Sequence, residues 1–488
     1  MIPTALSTQL AALVAADPGR PAVTCGDETL TRTDLDRRTN ALARAYAARG
    51  VAAGSMVTIA LPNGLEGVEA AVAAWKLGAI PQPLSPRLPA HELAALLDLA
   101  RPSLVVGGDP AATGDLSAVP AGFVPDVTDD SALPPAVGPS WKAPTSGGST
   151  GRPKLIVAAQ PACAEVVLGY AQLFRMPADG VHLVTGPMYH NAGFMFATCA
   201  LFSGNHVVVM PRFDPAETLR LVDAHRADWV FVVPTMMHRI SRLPGAVRES
   251  FDLSSLRLLL HSAAPCPAWL KEDWIGWIGP DRVYEMYAST EAMAGSMITG
   301  DEWLTHRGSV GRMVVGEVSI RDAGGDEVPP GVTGEIWLRT AADAPSTYRY
   351  VGARARTQPG GWESQGDCGR VDEEGYLYIA DRLPDMILVG GANVYPAEVE
   401  AALDEHPAVE SSCVIGLPDD EYGSTVHAIV QTADPLDADA LLAHLRERLA
   451  PYKLPRTFER VDHPLRDDAG KVRRSRLRAE RLERRLVG

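Results

Sequence analysis

Lysine is scarce in this chain: only six of its 45 basic residues are Lys, the rest being Arg. That bias is read first as the mark of a GC-rich genome, not of a function. Paired cysteines are missing too. Cys25, Cys163, Cys199, Cys266, Cys368 and Cys413 are scattered with no C-x-x-C spacing. This argues against a disulfide framework and a structural zinc site, and it predicts free thiols in a reducing cytoplasm. No stretch approaches about 18 uncharged apolar residues, so no membrane span is expected. The segment MIPTALSTQLAALVAADPGR lacks a basic region followed by a long apolar run and does not read as a signal peptide. Nor is there an excess of positive charge: a net charge of −15 argues against broad nucleic-acid binding, which needs a basic surface. No internal repeat is visible.

What is there is a chain of 488 residues, 46% hydrophobic and 22% charged, ordinary for a globular protein and too long for one core. Strand and helix patterns alternate from residue 30 onward. Residues 103–106, 181–185, 206–210, 229–233 and 256–260 read as short buried strands. Helical patterns such as 215–225 lie between them, and 61–80 holds an Ala-rich amphipathic helix. The alternation predicts an α/β fold with mostly parallel sheets. Residues 107–142, rich in Pro, Gly, Ala and Asp, read as loop. A break near 381–385 is followed by a compact βα-type pattern. The expected layout is a large N-terminal domain of layered sheets and helices over 1–381, a hinge at 382–385, and a small mobile α+β domain over 386–488. The Arg-rich stretch 471–485 has helical spacing and reads chiefly as a solvated amphipathic helix.

The sharpest local signal is Thr145-Ser146-Gly147-Gly148-Ser149-Thr150-Gly151-Arg152-Pro153-Lys154. Small residues let the backbone approach an anion, successive N–H groups and hydroxyls form a nest for phosphate oxygens, and Lys154 adds positive charge. A Walker A loop would end in Gly-Lys-Ser/Thr, whereas Arg152-Pro153 follow Gly151 here. A flexible Gly/Ser linker has a similar composition; the Pro-Lys ending favours the phosphate loop.

This run resembles the phosphate loop of the adenylate-forming ligases, the family of acyl-CoA synthetases, peptide-synthetase adenylation domains and luciferase. The resemblance continues in order along nearly the whole chain. Pro187-Met188-Tyr189-His190-Asn191-Ala192-Gly193 is similar to the motif bordering the acyl pocket. Ser262-Ala263-Ala264-Pro265 is similar to the small-residue strip against adenine, and residues 284–291 to the Tyr-Gly-x-Thr-Glu motif with its leader. Residues 361–367 resemble the ribose-binding motif, Asp381-Arg382 and residues 385–400 the hinge and the start of the C-terminal domain, and residues 464–471 the loop with the catalytic lysine. One such match is weak; the whole series in order is specific. The resemblance implies an AMP-forming acid–thiol ligase that uses ATP, Mg²⁺ and coenzyme A.

It also implies roles, and each has a physical reason. Thr145, Ser146, Gly147, Gly148, Ser149, Thr150 and Lys154 would hold the ATP phosphates. Glu285, Met286 and Tyr287 would belong to the nucleotide site, with Tyr287 offering an aromatic face to adenine. Asp367 would accept the ribose hydroxyls, and Arg382 would donate to the ribose side. Thr290 would bond phosphate, and Glu291 would be a hard oxygen ligand for Mg²⁺. His190 would line or gate the acyl site; a satisfied structural histidine is the competing reading. Lys471, carried by the small domain, would stabilise charge on the α-phosphate as the carboxylate attacks. Gly390 and Gly391 would line the thiol path after that domain turns. Pro384 would sit at the hinge, leaving rotation to its own ψ and to Asp385. Ala288, Gln365 and Leu465-Arg466-Asp467 depart from the family's usual residues, and none removes a reacting group.

Members that activate amino acids hold the α-amine with an aspartate in the acyl motif. Tyr189-His190-Asn191-Ala192 offers no carboxylate there, so the acid is expected not to be an amino acid. Eight of the 13 methionines lie between Met188 and Met297. Methionine suits large irregular apolar ligands and also fills ordinary cores. The loop and hinge variants look most similar to ligases for bile-acid, steroid and other polycyclic or terpenoid acids. The expected reaction joins a bulky apolar acid (polycyclic, terpenoid or fatty) to coenzyme A in the cytoplasm. The alternative is a free-standing acyl-AMP ligase that loads the phosphopantetheine thiol of a carrier protein; no carrier-domain sequence follows Lys471, which favours coenzyme A. On this reading, 471–485 has a CoA-phosphate patch as its second interpretation, and a homodimer stays open.

Overall fold

The computed structural model describes residues 3–108, 110–147, 153–341, 344–382, 385–389, 392–419, 422–433, 435–468 and 470–487. Gly148, Ser149 and Thr150 of the phosphate loop, Pro384 of the hinge, and Gly390 and Gly391 of the expected thiol path lie outside the described residues.

A nine-stranded sheet forms the centre. Its inner strands run parallel in the order Val283–Ala288, Leu258–His261, Trp229–Val232, Val181–Val184, His206–Val209 and Pro21–Cys25. Gly295–Thr299 and Arg312–Val315 extend it antiparallel at one edge, and Glu28–Thr31 at the other. Trp229–Val232 and Leu258–His261 are buried at every position, as parallel strands covered on both faces must be. Each strand expected from the apolar pattern is present, displaced by no more than two residues at either end.

The covering helices are specified locally. Pro215–His225 starts where Asp214 accepts the Glu217 N–H at 2.9 Å and Pro215 presets the first turn, and it stops at Arg226 in the left-handed region. Asn191–Phe202 is apolar on every side and buried from Gly193 onward. Phe194 meets Trp75 at 5.7 Å between ring centroids, and Phe196 meets Phe174 and Trp229 at 4.9 and 5.0 Å. That aromatic packing fixes the helix, and with it the position of its first residues.

Thr145–Gly147 pairs antiparallel with Pro153–Ala158, which pairs in turn with Tyr348–Val351. The described ends of the phosphate-loop sequence, Thr145–Gly147 and Pro153-Lys154, thus lie on two paired strands. A four-stranded parallel sheet (Ile80–Pro83, Met56–Ala60, Leu104–Gly107, Ala118–Val119) and a five-stranded antiparallel sheet running from Glu317–Arg321 to Leu377–Arg382 complete this part. The stretch 107–142 is mostly irregular, with the short helix Pro110–Thr113 and the strand Ala118–Val119 within it.

Beyond residue 386 the cores are separate. Strands Ser411–Asp419, Gly423–Gln431 and Thr457–Val461 form one sheet. Val414, Val426 and Val430 pack on one face with Val399 and Leu403. Cys413, Ile415 and Ile429 pack on the other with Val461 and Leu465, the alternation that a strand imposes. Helix Arg474–Val487 covers this second face through Leu477 and Leu482. It is packed, not merely solvated: Arg474 bonds Asp385 and Glu400 at 2.8 and 2.6 Å, and Arg481 bonds Glu459 at 2.8 Å. No helix among the described residues is long and apolar enough to cross a membrane.

Candidate active site

In a parallel sheet the loops leaving the carboxyl ends of the strands gather at one edge, where ligands bind. Loops at 186–193, 233–236, 262–267 and 288–292 leave the strands at that edge, and all line one cleft of about 2080 Å³. Residues 466–478 of the small C-terminal part close its far side. Thr145, Lys154, His190, Ser262 to Pro265, Glu285 to Tyr287, Thr290, Glu291, Asp367, Arg382 and Lys471 all line this cleft. Residues far apart in sequence are therefore brought into one space.

On the nucleotide side, the Tyr287 hydroxyl donates to Asp367 Oδ2 at 2.7 Å, and Arg382 Nε donates to Oδ1 at 3.1 Å. Asp367 and Arg382 meet because strands Trp362–Val371 and Leu377–Arg382 pair them directly. Burial, then the Asp367 charge, holds the Tyr287 phenol well above its usual range, so it remains a donor. The Glu285 carboxylate is engaged by Lys271, which is fully buried, donates to Oε2 at 2.6 Å and sits 5.0 Å over the Trp303 ring. His261, opposite Glu285 across the sheet, has neither ring nitrogen bonded to protein among the described residues, and burial followed by Lys271 holds its pKa well below the usual value. Ala263 takes φ +77°, a left-handed backbone without glycine, in the strip expected against adenine.

On the phosphate side, Lys154 Nζ lies 3.4 Å from Glu291 Oε1 and donates to the Tyr350 hydroxyl at 2.9 Å, and that hydroxyl donates to the same Oε1 at 2.5 Å. Glu291 is 4% exposed. Its Oε2 has no protein partner among the described residues. A buried carboxylate with one oxygen to spare fits a single position in a Mg²⁺ shell, with phosphate and water oxygens supplying the rest. No group of three or more His, Cys, Asp or Glu able to hold a metal occurs among the described residues.

The small part delivers Lys471. Its turn is closed by the Gly470 N–H to Asp467 O at 2.8 Å and the Lys471 N–H to Asp467 Oδ1 at 2.9 Å. Gly470 has φ +75° and lies against Thr235, so a Cβ there would collide with the Thr235 hydroxyl. Arg466, one of the departures from the family pattern, anchors the turn through Ser411 Oγ, Ser412 O and Gly470 O at 3.2, 3.1 and 3.3 Å. Across the cleft, Tyr189 donates to Asp468 at 3.0 Å, and Arg87 pairs with the same carboxylate. Water reaches Lys471 within the cleft, yet protein crowds it. Desolvation, aided by Arg382, lowers its pKa against the pull of Asp467 and Glu291. Burial likewise brings His190 down to about 4, with Asp467 opposing and Lys471 reinforcing the shift. The imidazole is neutral at pH 7 and sits at the start of helix Asn191–Phe202.

Sequence reasoning missed Lys142, Lys271 and Tyr350, and it placed Asp381 and Asp468 in motifs without giving either a role. For the two lysines a signal existed. Lys76 meets Asp36 at 2.7 Å, Lys453 meets Glu398 at 2.6 Å, and the other four are Lys142, Lys154, Lys271 and Lys471. In a chain that builds its surface with Arg, each retained Lys has a partner or faces the cleft. Asp381 accepts the Arg382 and Ala397 N–H groups at 2.7 and 2.9 Å, tying the linker to helix Pro396–Asp404. Of the clustered methionines, Met195, Met236, Met286 and Met297 line the cleft, while Met188, Met210, Met237 and Met293 do not.

The AMP-binding enzyme family matches residues 10–346, and the AMP-binding enzyme C-terminal domain matches residues 398–471. A feruloyl-CoA synthase from an Amycolatopsis species is 35% identical over 94% of this chain and 96% of its own. A 3-[(3aS,4S,7aS)-7a-methyl-1,5-dioxo-octahydro-1H-inden-4-yl]propanoyl:CoA ligase from Rhodococcus jostii (strain RHA1) is 32% identical over 94% and 95%. The solved structure of O-succinylbenzoate coenzyme A synthetase from Bacillus subtilis in complex with ATP and magnesium ion superposes with a TM-score of 0.81 at 25% identity, covering 96% of this chain and 98% of that one. Motif order, fold and both matched regions agree: the chain belongs to the AMP-binding enzyme family.

Proposed function

We propose that this enzyme activates a bulky, largely apolar carboxylic acid (polycyclic, terpenoid or fatty) as its acyl-adenylate and passes the acyl group to coenzyme A. The observation that carries the reading is the presence of Lys471 in one cleft with Glu291 and with the Tyr287–Asp367–Arg382 group. In the first half-reaction a carboxylate oxygen of the acid attacks the α-phosphorus of ATP, the bond to the leaving phosphate breaks, and pyrophosphate departs. Lys471 stabilises the charge that builds on the α-phosphate oxygens. Tyr287 presents its ring to adenine, and Asp367, oriented by Tyr287 and Arg382, accepts the ribose hydroxyls. Bound Mg²⁺ supplies charge neutralisation for the polyphosphate, and Glu291 is the residue that would hold it. In the second half-reaction the thiol sulfur attacks the acyl carbon, the thiol loses its proton, and AMP leaves.

Support for the acid class comes from the cleft wall, where Leu173, Phe174, Met195, Phe231 and Met236 contribute, and from relatives named for an aromatic and a fused-ring acid. We place the reaction in the cytoplasm, where the six free cysteines stay reduced. The test is acid-dependent ATP–pyrophosphate exchange across fatty, aromatic and polycyclic acids, followed by addition of coenzyme A. Exchange and a CoA thioester are expected. Exchange without thioester would move the acceptor to a carrier protein, and no exchange with any acid would overturn adenylation.

A further inference from the structure

Lys142 has no part in the steps above. Its backbone belongs to the segment leading into Thr145–Gly147, where its carbonyl accepts the Ala158 N–H at 3.1 Å and the Ser140 hydroxyl at 2.9 Å. Its position is therefore set by the sheet. The residue is only 3% exposed, yet it lines the cleft. Nζ donates to Asn191 Oδ1 and lies 4.5 Å over the Trp141 ring. An ammonium carries three N–H donors, and Asn191 is its one hydrogen-bond acceptor among the described residues, where it forms no ion pair. Burial draws its pKa down to about 7, opposed by the charges of Cys199 and Glu291. An ammonium held this way is costly unless something else pairs with it.

Asn191 supplies the other half. It opens helix Asn191–Phe202, which the aromatic core holds in place. As an ammonium Lys142 only donates, and Asn191 turns its oxygen toward it. The amide NH₂ is then left with two donors and no protein acceptor among the described residues. The neighbouring wall is aromatic: Tyr170 stacks on Phe174 at 6.1 Å and meets Trp141 at 5.6 Å. An apolar wall thus ends at a small group of unspent donors.

We propose that Lys142 and Asn191 form an oxygen-recognition subsite that selects acids bearing a second acceptor oxygen, a carbonyl or a second carboxylate, in addition to the carboxylate that is activated. This rests on the adenylation reading and names its substrate class. An acid with the oxygen satisfies the buried Lys142 donors and the half-buried Asn191 amide, whereas its hydrocarbon counterpart leaves the lysine's donors unmade, and sites built on buried polar groups discriminate on that difference.

The test uses 3-cyclohexylpropanoic acid, its ring-oxo derivatives and its ring-carboxy derivatives in ATP–pyrophosphate exchange with the full chain. The wild type should prefer at least one oxygenated acid in kcat/KM by roughly 10-fold or more over the parent, the scale of a hydrogen bond to a charged group. An oxo preference identifies a carbonyl, and a carboxy preference an anion. Lys142→Met, which keeps an unbranched chain one atom shorter and removes the donors, should collapse that ratio toward one. Equal use of all the acids by the wild type overturns the subsite and leaves adenylation standing; no exchange with any acid overturns both. A Lys142→Met enzyme that loses rate equally on every acid, or keeps the wild-type ratio, also overturns the subsite. If Lys142→Met shows no cooperative thermal melt, Asn191→Leu decides on the same ratio.

Discussion

Tyr189 donates its hydroxyl to Asp468 at 3.0 Å, joining the acyl-side loop of the large part to the turn that presents Lys471. Arg87 pairs with the same carboxylate, and Gly470 lies against Thr235. These contacts hold the arrangement in which Lys471 faces the cleft. Tyr189→Phe removes one solvent-accessible hydrogen bond of about 0.5–1.5 kcal/mol. Acyl-AMP formation should slow by roughly 2- to 10-fold; if the small domain turns between the half-reactions, as the hinge reading proposes, thioester formation from supplied acyl-AMP should be spared. Equal slowing of the two half-reactions would show that this contact does not serve one orientation.

Lys471→Ala should slow acyl-AMP formation by at least ~10²-fold, the scale of losing one transition-state charge donor, and leave the second half-reaction largely intact. The lysine also predicts a pH limb. Crowding lowers its pKa below the ordinary 10.5, so the cation is lost as pH rises through that lowered value. The kcat/KM for adenylation, which reports the free enzyme, should fall on the alkaline side before an exposed lysine would titrate. Lys471→Arg keeps its proton, and whatever activity it retains should lack that limb. A limb that persists unchanged in Lys471→Arg belongs to another group.

Glu291→Gln keeps the side chain's shape and removes its charge. Mg²⁺ should then bind the ATP complex more weakly, and raising Mg²⁺ should restore part of the rate. The spare Oε2 is the reason to expect this, since Tyr350 and Lys154 both use Oε1. Unchanged activity with unchanged Mg²⁺ dependence would make Glu291 a structural anchor for Lys154 and Tyr350.

The motifs were legible because each is a local run whose residue types carry chemical meaning: Lys154 after its glycines, Glu291 after Thr290, Asp367 in its turn-rich strand. Their companions were not, because those depend on pairing over long separations. Tyr350 reaches Glu291 only because Tyr348–Val351 pairs with Pro153–Ala158. Arg474 looked like one more solvated arginine, since its partners Asp385 and Glu400 are 89 and 74 residues away. The parallel strands read correctly because full burial leaves a continuous apolar run, a property of the segment itself. Lys142 stands between these cases: its rarity was visible, but its burial against Asn191 was not.

Acid should destabilise the fold through its buried histidines. Burial pushes His182, His190, His206 and His238 each down to about 4, and His261 well below the 6.5 of an unfolded chain. Between those values the unfolded state binds more protons, so stability is full above about 6.5 and falls as pH drops toward 4. Asp404 works the other way: burial raises it to about 6, so the folded state binds its proton first and gains from the same fall in pH. Glu69, Asp228 and Asp381 are raised by burial in the same sense; the depressed histidines outnumber these carboxyls, and Tm should decline between pH 7 and pH 5. A flat or rising profile over that range would mean that these imidazoles are not held neutral.

Ala263 gives the last expectation. Its φ of +77° brings the Cβ of an L-residue toward its own carbonyl, at a cost of about 1–2 kcal/mol. Glycine removes that clash, but it gives the unfolded chain more freedom to lose, about 0.4–1 kcal/mol. The first effect is the larger, so Ala263→Gly should stabilise the protein by roughly 0.5–1 kcal/mol and raise Tm by about a degree at most in a chain of this size. The residue lines the cleft beside Ala264 and Pro265, so the same variant reports on function. If the strained backbone shapes the adenine surface, KM for ATP should shift while kcat at saturating ATP stays near the wild-type value. A variant with lower Tm would show that the surrounding packing prefers the Ala263 methyl to relief of strain.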